Sequence, residues 1–247
     1  IVPVERFPMP VPAAVERVRE SAGTDATIAH APGSVELLGE TCAATGGMLL
    51  ATALPVSAAV ALEPNDTGEL TVISTREETS LPMPDAVPAG YPAEVTAIAA
   101  AVVAMQHTMH LIPRTGSGLT VRWASTIPAG RGLGEIAALQ SAVALAANAR
   151  WGDRDDVPTR ARLAAALHET SADHYGDHWP LHPYTAALRS QPDSVLTCNH
   201  SDEAVTQTPR PDNLALMVAY SPDITGASPQ VERHEFFAEA CSAFGVP

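Results

Sequence analysis

Nine residues carry the pattern best suited to chemistry: Ile127-Pro128-Ala129-Gly130-Arg131-Gly132-Leu133-Gly134-Glu135. Glycine recurs at every second position, and glycine tolerates positive φ and close backbone approach. The run Ile136 to Ala147 that follows is rich in Ala and Leu, which are strong helix formers. The segment before it, Gly118 to Ala124, alternates apolar and polar residues as a strand does. Strand, glycine loop and helix form a layout that can cradle phosphate, because a helix N-terminus offers unpaired N–H groups and a positive dipole end. The spacing is neither that of the P-loop, which ends in Lys, nor that of the dinucleotide fingerprint. A plain tight turn remains open on this stretch alone.

A second cluster gathers His168, Glu169, Asp173, His174, Asp177, His178 and His182. His174, His178 and His182 are four residues apart, so a continuous helix would bring them to one face at metal-ligand spacing. Gly176, Pro180 and Pro183 work against such a helix, so a polar surface turn is the competing reading and no metal site is assigned.

Composition narrows the classes. The chain has 247 residues, 46% of them hydrophobic, enough for one large or two small domains with a real core. The net charge is −14, and all 14 basic residues are Arg. No basic patch is dense enough for nucleic acid. The absence of Lys removes Schiff-base and P-loop lysine chemistry. No apolar run is long enough to span a membrane. Cys42, Cys198 and Cys241 are widely spaced and suit reduced thiols, hence a cytoplasmic setting.

Periodicity gives the elements that must position these groups. Helices are expected over Pro12–Ser21, Pro92–Leu111, Arg160–His174, Tyr184–Arg189 and Pro229–Phe244. Strands are expected over Thr27–His30, Leu70–Thr75, Gly118–Ala124, Val195–Cys198 and Leu214–Tyr220. Ala31-Pro32-Gly33 is expected to break its strand, and Met48–Leu62 to be two pieces or a bent strand because of Pro55. Leu81 to Pro84 reads as an extended connection. Paired strands followed by runs of helices favour an α+β fold.

Ala31-Pro32-Gly33-Ser34-Val35-Glu36-Leu37-Leu38-Gly39-Glu40, then Gly46-Gly47, closely resembles the first signature of galactokinases, A-P-G-R-V-N-L-I-G-E-H-T-D-Y. These are members of the GHMP superfamily of small-molecule kinases. Ile127 to Val143 resembles the second signature, P-x-G-x-G-L-S-S-S-A. The resemblance runs from about Pro12 to the end. It implies a GHMP kinase-like N-terminal domain over 1–175 and the start of a second α+β domain over 176–247, which the chain leaves incomplete. It also implies ATP held over the loop by Pro128, Gly130, Arg131, Gly132, Leu133, Gly134 and Glu135, possible use of Mg²⁺, and phosphoryl transfer to a sugar.

The same resemblance exposes departures. Ser34 stands at the signature's Arg, and a hydroxyl cannot neutralise phosphoryl charge as guanidinium does. The sugar-binding Glu is kept as Glu40, but the next acidic and His positions are Ala43 and Thr41. The catalytic Asp falls at His182, and a sugar-contacting Tyr near Pro229. Glu135 replaces a loop Ser in the first turn of the helix, beside where phosphate would sit. The expectation is a galactokinase-like protein with impaired or lost transfer and weak ATP binding. Two alternatives stand beside it: an active kinase for another small metabolite, and a noncatalytic sensing or metal-binding protein. The ligand and oligomeric state are left open.

Overall fold

The computed structural model describes residues 11–39, 47–113, 117–176, 179–199 and 204–211, with isolated positions beyond. The elements in chain order are α1 (Ala13–Ser21), β1 (Thr27–Leu38), β2 (Met48–Asn65), β3 (Glu69–Ile73), β4 (Glu78–Pro82), α2 (Ala93–His107), β5 (Gly118–Ser125), α3 (Glu135–Trp151), α4 (Val157–Tyr175), α5 (His182–Arg189), β6 (Ser194–Asn199) and β7 (Val205–Pro209). The fold is α+β. Its strands form one sheet in the order β4-β3-β5-β2-β6-β7, with β1 also paired to β2. Every pairing is antiparallel except β3 with β5.

β2 is the spine. β1 runs along one of its edges, while the other edge takes β6 at Met48–Ala51 and β5 at Ala58–Asn65. Side chains alternate across a strand, and β2 follows this rule. Ala58, Val60 and Leu62 enter a large core shared with α2, α3 and α4, whereas Ala59 and Ala61 pack against Ala14, Val15 and Val18 of α1. One helix thus covers one face of the sheet and a helical layer covers the other. Within that layer α2 and α3 are buried nearly all round, as their almost unbroken Ala, Val and Leu content requires.

Several expectations from the sequence are corrected. Ala31-Pro32-Gly33 does not end its strand. β1 continues to Leu38 through a bulge, its register jumping from Pro32 opposite Ser57 to Ser34 opposite Ala53. The same bulge takes up Pro55, whose missing N–H would spoil a regular ladder, so Met48–Asn65 is one strand. Leu81 and Pro82 end a true strand, β4. Pro92 occupies the N-cap of α2 rather than its first turn. The described part of Leu214–Tyr220, residues 216–219, is not strand. The helix expected over Pro229–Phe244 lies almost wholly outside the described residues. No helix among the described residues is long and apolar enough to cross a membrane.

Candidate active site

The two glycine-containing signatures touch. The backbone N–H of Ser34, in the β1 bulge, donates to the carbonyl of Leu133 in the loop at 3.0 Å. The loop is held from below by buried Ile127 and Leu133, while Ala129, Gly130 and Gly132 are exposed. Gly130, Gly132 and Gly134 have φ of +66°, +69° and +68°. This left-handed repeat is strained for residues with a side chain, and it turns the chain straight into α3 with Gly134 as N-cap. The loop therefore opens onto a helix N-terminus, the arrangement the sequence implied for anion binding.

Ser34 takes no part in that opening. It is 5% exposed, and its Oγ lies 2.6 Å from where a Cβ on Gly134 would be. It is a packing contact under the loop, and it carries no charge that could meet a phosphoryl group. Glu135 is half-buried in the first turn of α3, and its Oε2 accepts a hydrogen bond from the Gly130 N–H at 3.3 Å. One loop amide thus already serves a carboxylate. Burial pushes the Glu135 carboxyl above its ordinary range, the Gly130 amide pulls it back, and the charge of Glu94 raises it again. Glu94 also borders a shallow surface hollow with Val72, Ser74, Glu77, Thr79 and Trp123. Loop geometry fits a phosphate; the local charge does not. Arg131 sits half-buried in the loop, the one cation of that stretch.

The described members of the His-rich cluster make separate contacts. α4 ends at Tyr175, and Gly176 with φ +106° turns the chain away. His174 closes α4 beside Tyr175, whose ring stacks on Trp179 at 4.3 Å, and His168 bonds the Trp179 carbonyl at 2.8 Å. His182 opens α5. No group of three or more His, Cys, Asp or Glu suited to a metal occurs among the described residues. His178 lies outside them, as do Glu40, Thr41, Ala43 and Pro229.

His182 is buried, at 5% exposure, and its Nε2 pairs with Oε1 of Glu36 on β1. Sequence reasoning passed over Glu36. Its signal was available, because a carboxylate stands there where the first signature has Asn. A second feature also went unread. Tyr184 of α5 donates from its hydroxyl to Gln140 of α3, accepts from Trp179 Nε1 at 2.7 Å and lies 2.9 Å from Ser171 of α4. Burial pushes this phenol up to about 12. The network ties the turn of α5 that carries His182 to the helix that leaves the glycine loop.

The chain is similar to known proteins. A family model for the N terminal domain of GHMP kinases matches residues 96–180, and one for the galactokinase galactose-binding signature matches residues 17–64. Galactokinases of Mycobacterium tuberculosis and Mycobacterium bovis are 33% identical over 194 residues, which is 78% of this chain and 49% of theirs. The chain thus spans about half the length of the curated relatives it matches. Among solved structures, Lactococcus lactis galactokinase complexed with galactose superposes with a TM-score of 0.75 at 15% identity, over 94% of this chain and 60% of that one. Methanococcus jannaschii mevalonate kinase gives 0.59 at 12% identity, over 75% and 56%. The structural likenesses speak for the fold, and the family models and galactokinase sequences for descent. With both signatures present in order and in contact, the chain is a galactokinase-like member of the GHMP kinase superfamily.

Proposed function

We propose that this protein keeps the sugar-kinase cleft but transfers phosphoryl groups from ATP poorly or not at all. The observation that carries this reading is the Glu135 carboxylate bonded to the Gly130 amide of the glycine loop. Two anions about 4 Å apart repel by roughly 4 kcal/mol at an effective dielectric near 20, so a nucleotide phosphate must compete with this side chain. Phosphoryl transfer depends on positioning and charge stabilisation, and Ser34 supplies no charge. ATP and Mg²⁺ are proposed as weak ligands. The loop amides and the amino end of α3 would hold phosphate. When bound, ATP would supply the phosphoryl group. A sugar is the proposed small-molecule partner. An active kinase for a different metabolite is the reading to beat.

Calorimetry on Glu135→Ser tests the central point. ATP should bind at least about tenfold tighter than to the unaltered protein, equivalent to ~1.4 kcal/mol, with or without Mg²⁺. Unchanged affinity would refute the blocking role. A phosphorylation screen across monosaccharides tests the other half, and clear turnover on any of them would overturn impairment.

A further inference from the structure

Glu135 closes a short ring with its own loop. Its Oε2 accepts from the Gly130 N–H, five residues earlier in the chain, at 3.3 Å. Hydrogen bonds to an ionised carboxylate usually run about 2.7–2.9 Å, so this one is long and readily exchanged. The ring lies on the open side of the loop. Gly130 and Gly132 are exposed, and a Cβ added to either would meet nothing within 4 Å. Solvent ions therefore have access to the loop at the place where Glu135 supplies an anion of the protein's own.

The proton decides what this side chain does. Ionised, it only accepts hydrogen bonds and repels a second anion. Protonated, it is neutral and carries an O–H that can donate to one. Its surroundings lean toward the proton. Burial favours the neutral form most, the Gly130 amide opposes it, and the charge of Glu94 on α2 adds to it. From β1 the loop is met by Ser34, which is uncharged. Arg131 is the cation of the loop itself, and α3 holds no further charged residue before Arg150. An arriving anion would take the Gly130 bond away from Glu135 and bring a negative charge beside it. Both changes favour the proton further.

We propose that Glu135 is a proton-operated stopper of the glycine loop: ionised, it keeps the Gly130 amide and excludes phosphate, and protonated, it yields the amide, so that phosphate binding takes up a proton. The inference rests on the phosphate reading of the loop and turns a fixed block into a pH-gated one. The sign follows from the two states. The carboxyl of the anion-bound protein holds its proton to higher pH than that of the free protein. Affinity therefore climbs as pH falls through the bound-state value and levels off below the free-state one, by at most about tenfold per pH unit for one proton.

The ¹H–¹⁵N resonance of the Gly130 amide reads the stopper in the protein alone. On acidification it should titrate with an inflection above the ordinary carboxyl value of 4.5. Glu135→Gln, which keeps an acceptor and loses the proton, should abolish that inflection. Glu94→Gln should move it to lower pH. Sulfate is the probe for the loop, because it neither gains nor loses a proton over this range. Its affinity for the unaltered protein should rise steeply as pH falls. Glu135→Gln should bind sulfate at least about tenfold tighter near neutral pH and lose most of the pH dependence, and the difference between the two proteins removes the effect of other titrating groups. A Gly130 amide that does not titrate overturns the proposal. So does a sulfate affinity whose pH dependence is the same in both proteins. Should Glu135→Gln fail to fold, the Gly130 inflection and its displacement in Glu94→Gln still decide. Sulfate that binds neither protein while Gly130 titrates would sink the phosphate reading of the loop, and the coupling with it. Sulfate that binds both alike at every pH would sink the stopper and leave the loop an anion site.

Discussion

Gly134 meets two demands at once. Its φ of +68° costs a residue with a side chain about 1–2 kcal/mol, and a Cβ there would lie 2.6 Å from Ser34 Oγ. Gly130 has nearly the same φ, but a Cβ would meet nothing within 4 Å. Gly134→Ala should therefore destabilise more than Gly130→Ala in urea unfolding, by about 1 kcal/mol or more. Equal losses would mean that the contact with Ser34 is slack. Glu135 gives a pH signature of known sign. Its carboxyl is raised from the ordinary 4.5, with burial as the largest cause. The folded state therefore holds more protons than the unfolded one above that value, and unfolding free energy falls as pH rises through the window. Glu135→Gln should raise the melting temperature near neutral pH and leave it unchanged below about pH 4, where both states are protonated. The same gain at both pH values would assign the effect to packing. The residue pattern disclosed the positive-φ glycines and the acid in the first turn of the helix. It did not disclose Glu36, whose role depends on a partner 146 positions away in the chain (182 − 36).

Three helices meet at Tyr184, and the bonds there are what hold α5 in place. Tyr184→Phe keeps the ring and removes the hydroxyl. That leaves Trp179 Nε1 without its acceptor and Gln140 Oε1 with Ser171 alone. Gln140 Nε2 already has no partner among the described residues, so the site cannot simply reshuffle. A loss of about 1–3 kcal/mol is expected in chemical unfolding. A loss below about 0.5 kcal/mol would mean that water takes over the hydroxyl's place. What could be read of the elements from sequence follows from burial. α2 and α3 announce themselves because they are apolar all round. β4 and β7 were missed because only Leu81 in β4 is buried and β7 is exposed along nearly its whole length, which leaves no apolar alternation to see. The β1 break was misjudged for a different reason. Pro32 and Gly33 are poor strand residues in isolation, yet Pro32 pairs with Ser57 at the edge of a bulge and Gly33 sits in it opposite Leu54, Pro55 and Val56, where the ladder needs no regular bond. Two local faults facing each other across a pair of strands become one shared irregularity, and a single sequence shows each fault without its partner.

At the scale of the whole molecule, stability concentrates where β2 is enclosed on four sides. Between Ala58 and Leu62 its edges are paired to β1 and β5, and its two faces are covered by the helical layer and by α1. Opening these amides means parting both strands and uncovering both faces, which amounts to global unfolding. β7 is the opposite case, since among the described residues it ends the sheet beyond β6, has only one partner strand and buries almost nothing. Native-state hydrogen exchange should show the amides of Val60 and Ala61 exchanging at the global unfolding rate, and those of β7 exchanging by fraying, orders of magnitude faster. Leu62→Ala, which empties a fully buried site in that enclosed stretch, should lower global stability by about 2–5 kcal/mol. It should shorten the protection of Val60 and Ala61 in proportion while leaving β7 exchange nearly unchanged, because fraying of an edge strand does not pass through the core. If protection at 58–62 were no greater than in β7, β2 could not be the element on which both signatures are mounted. The positions of Ser34, Glu36 and the glycine loop would then have to be fixed by the helices alone.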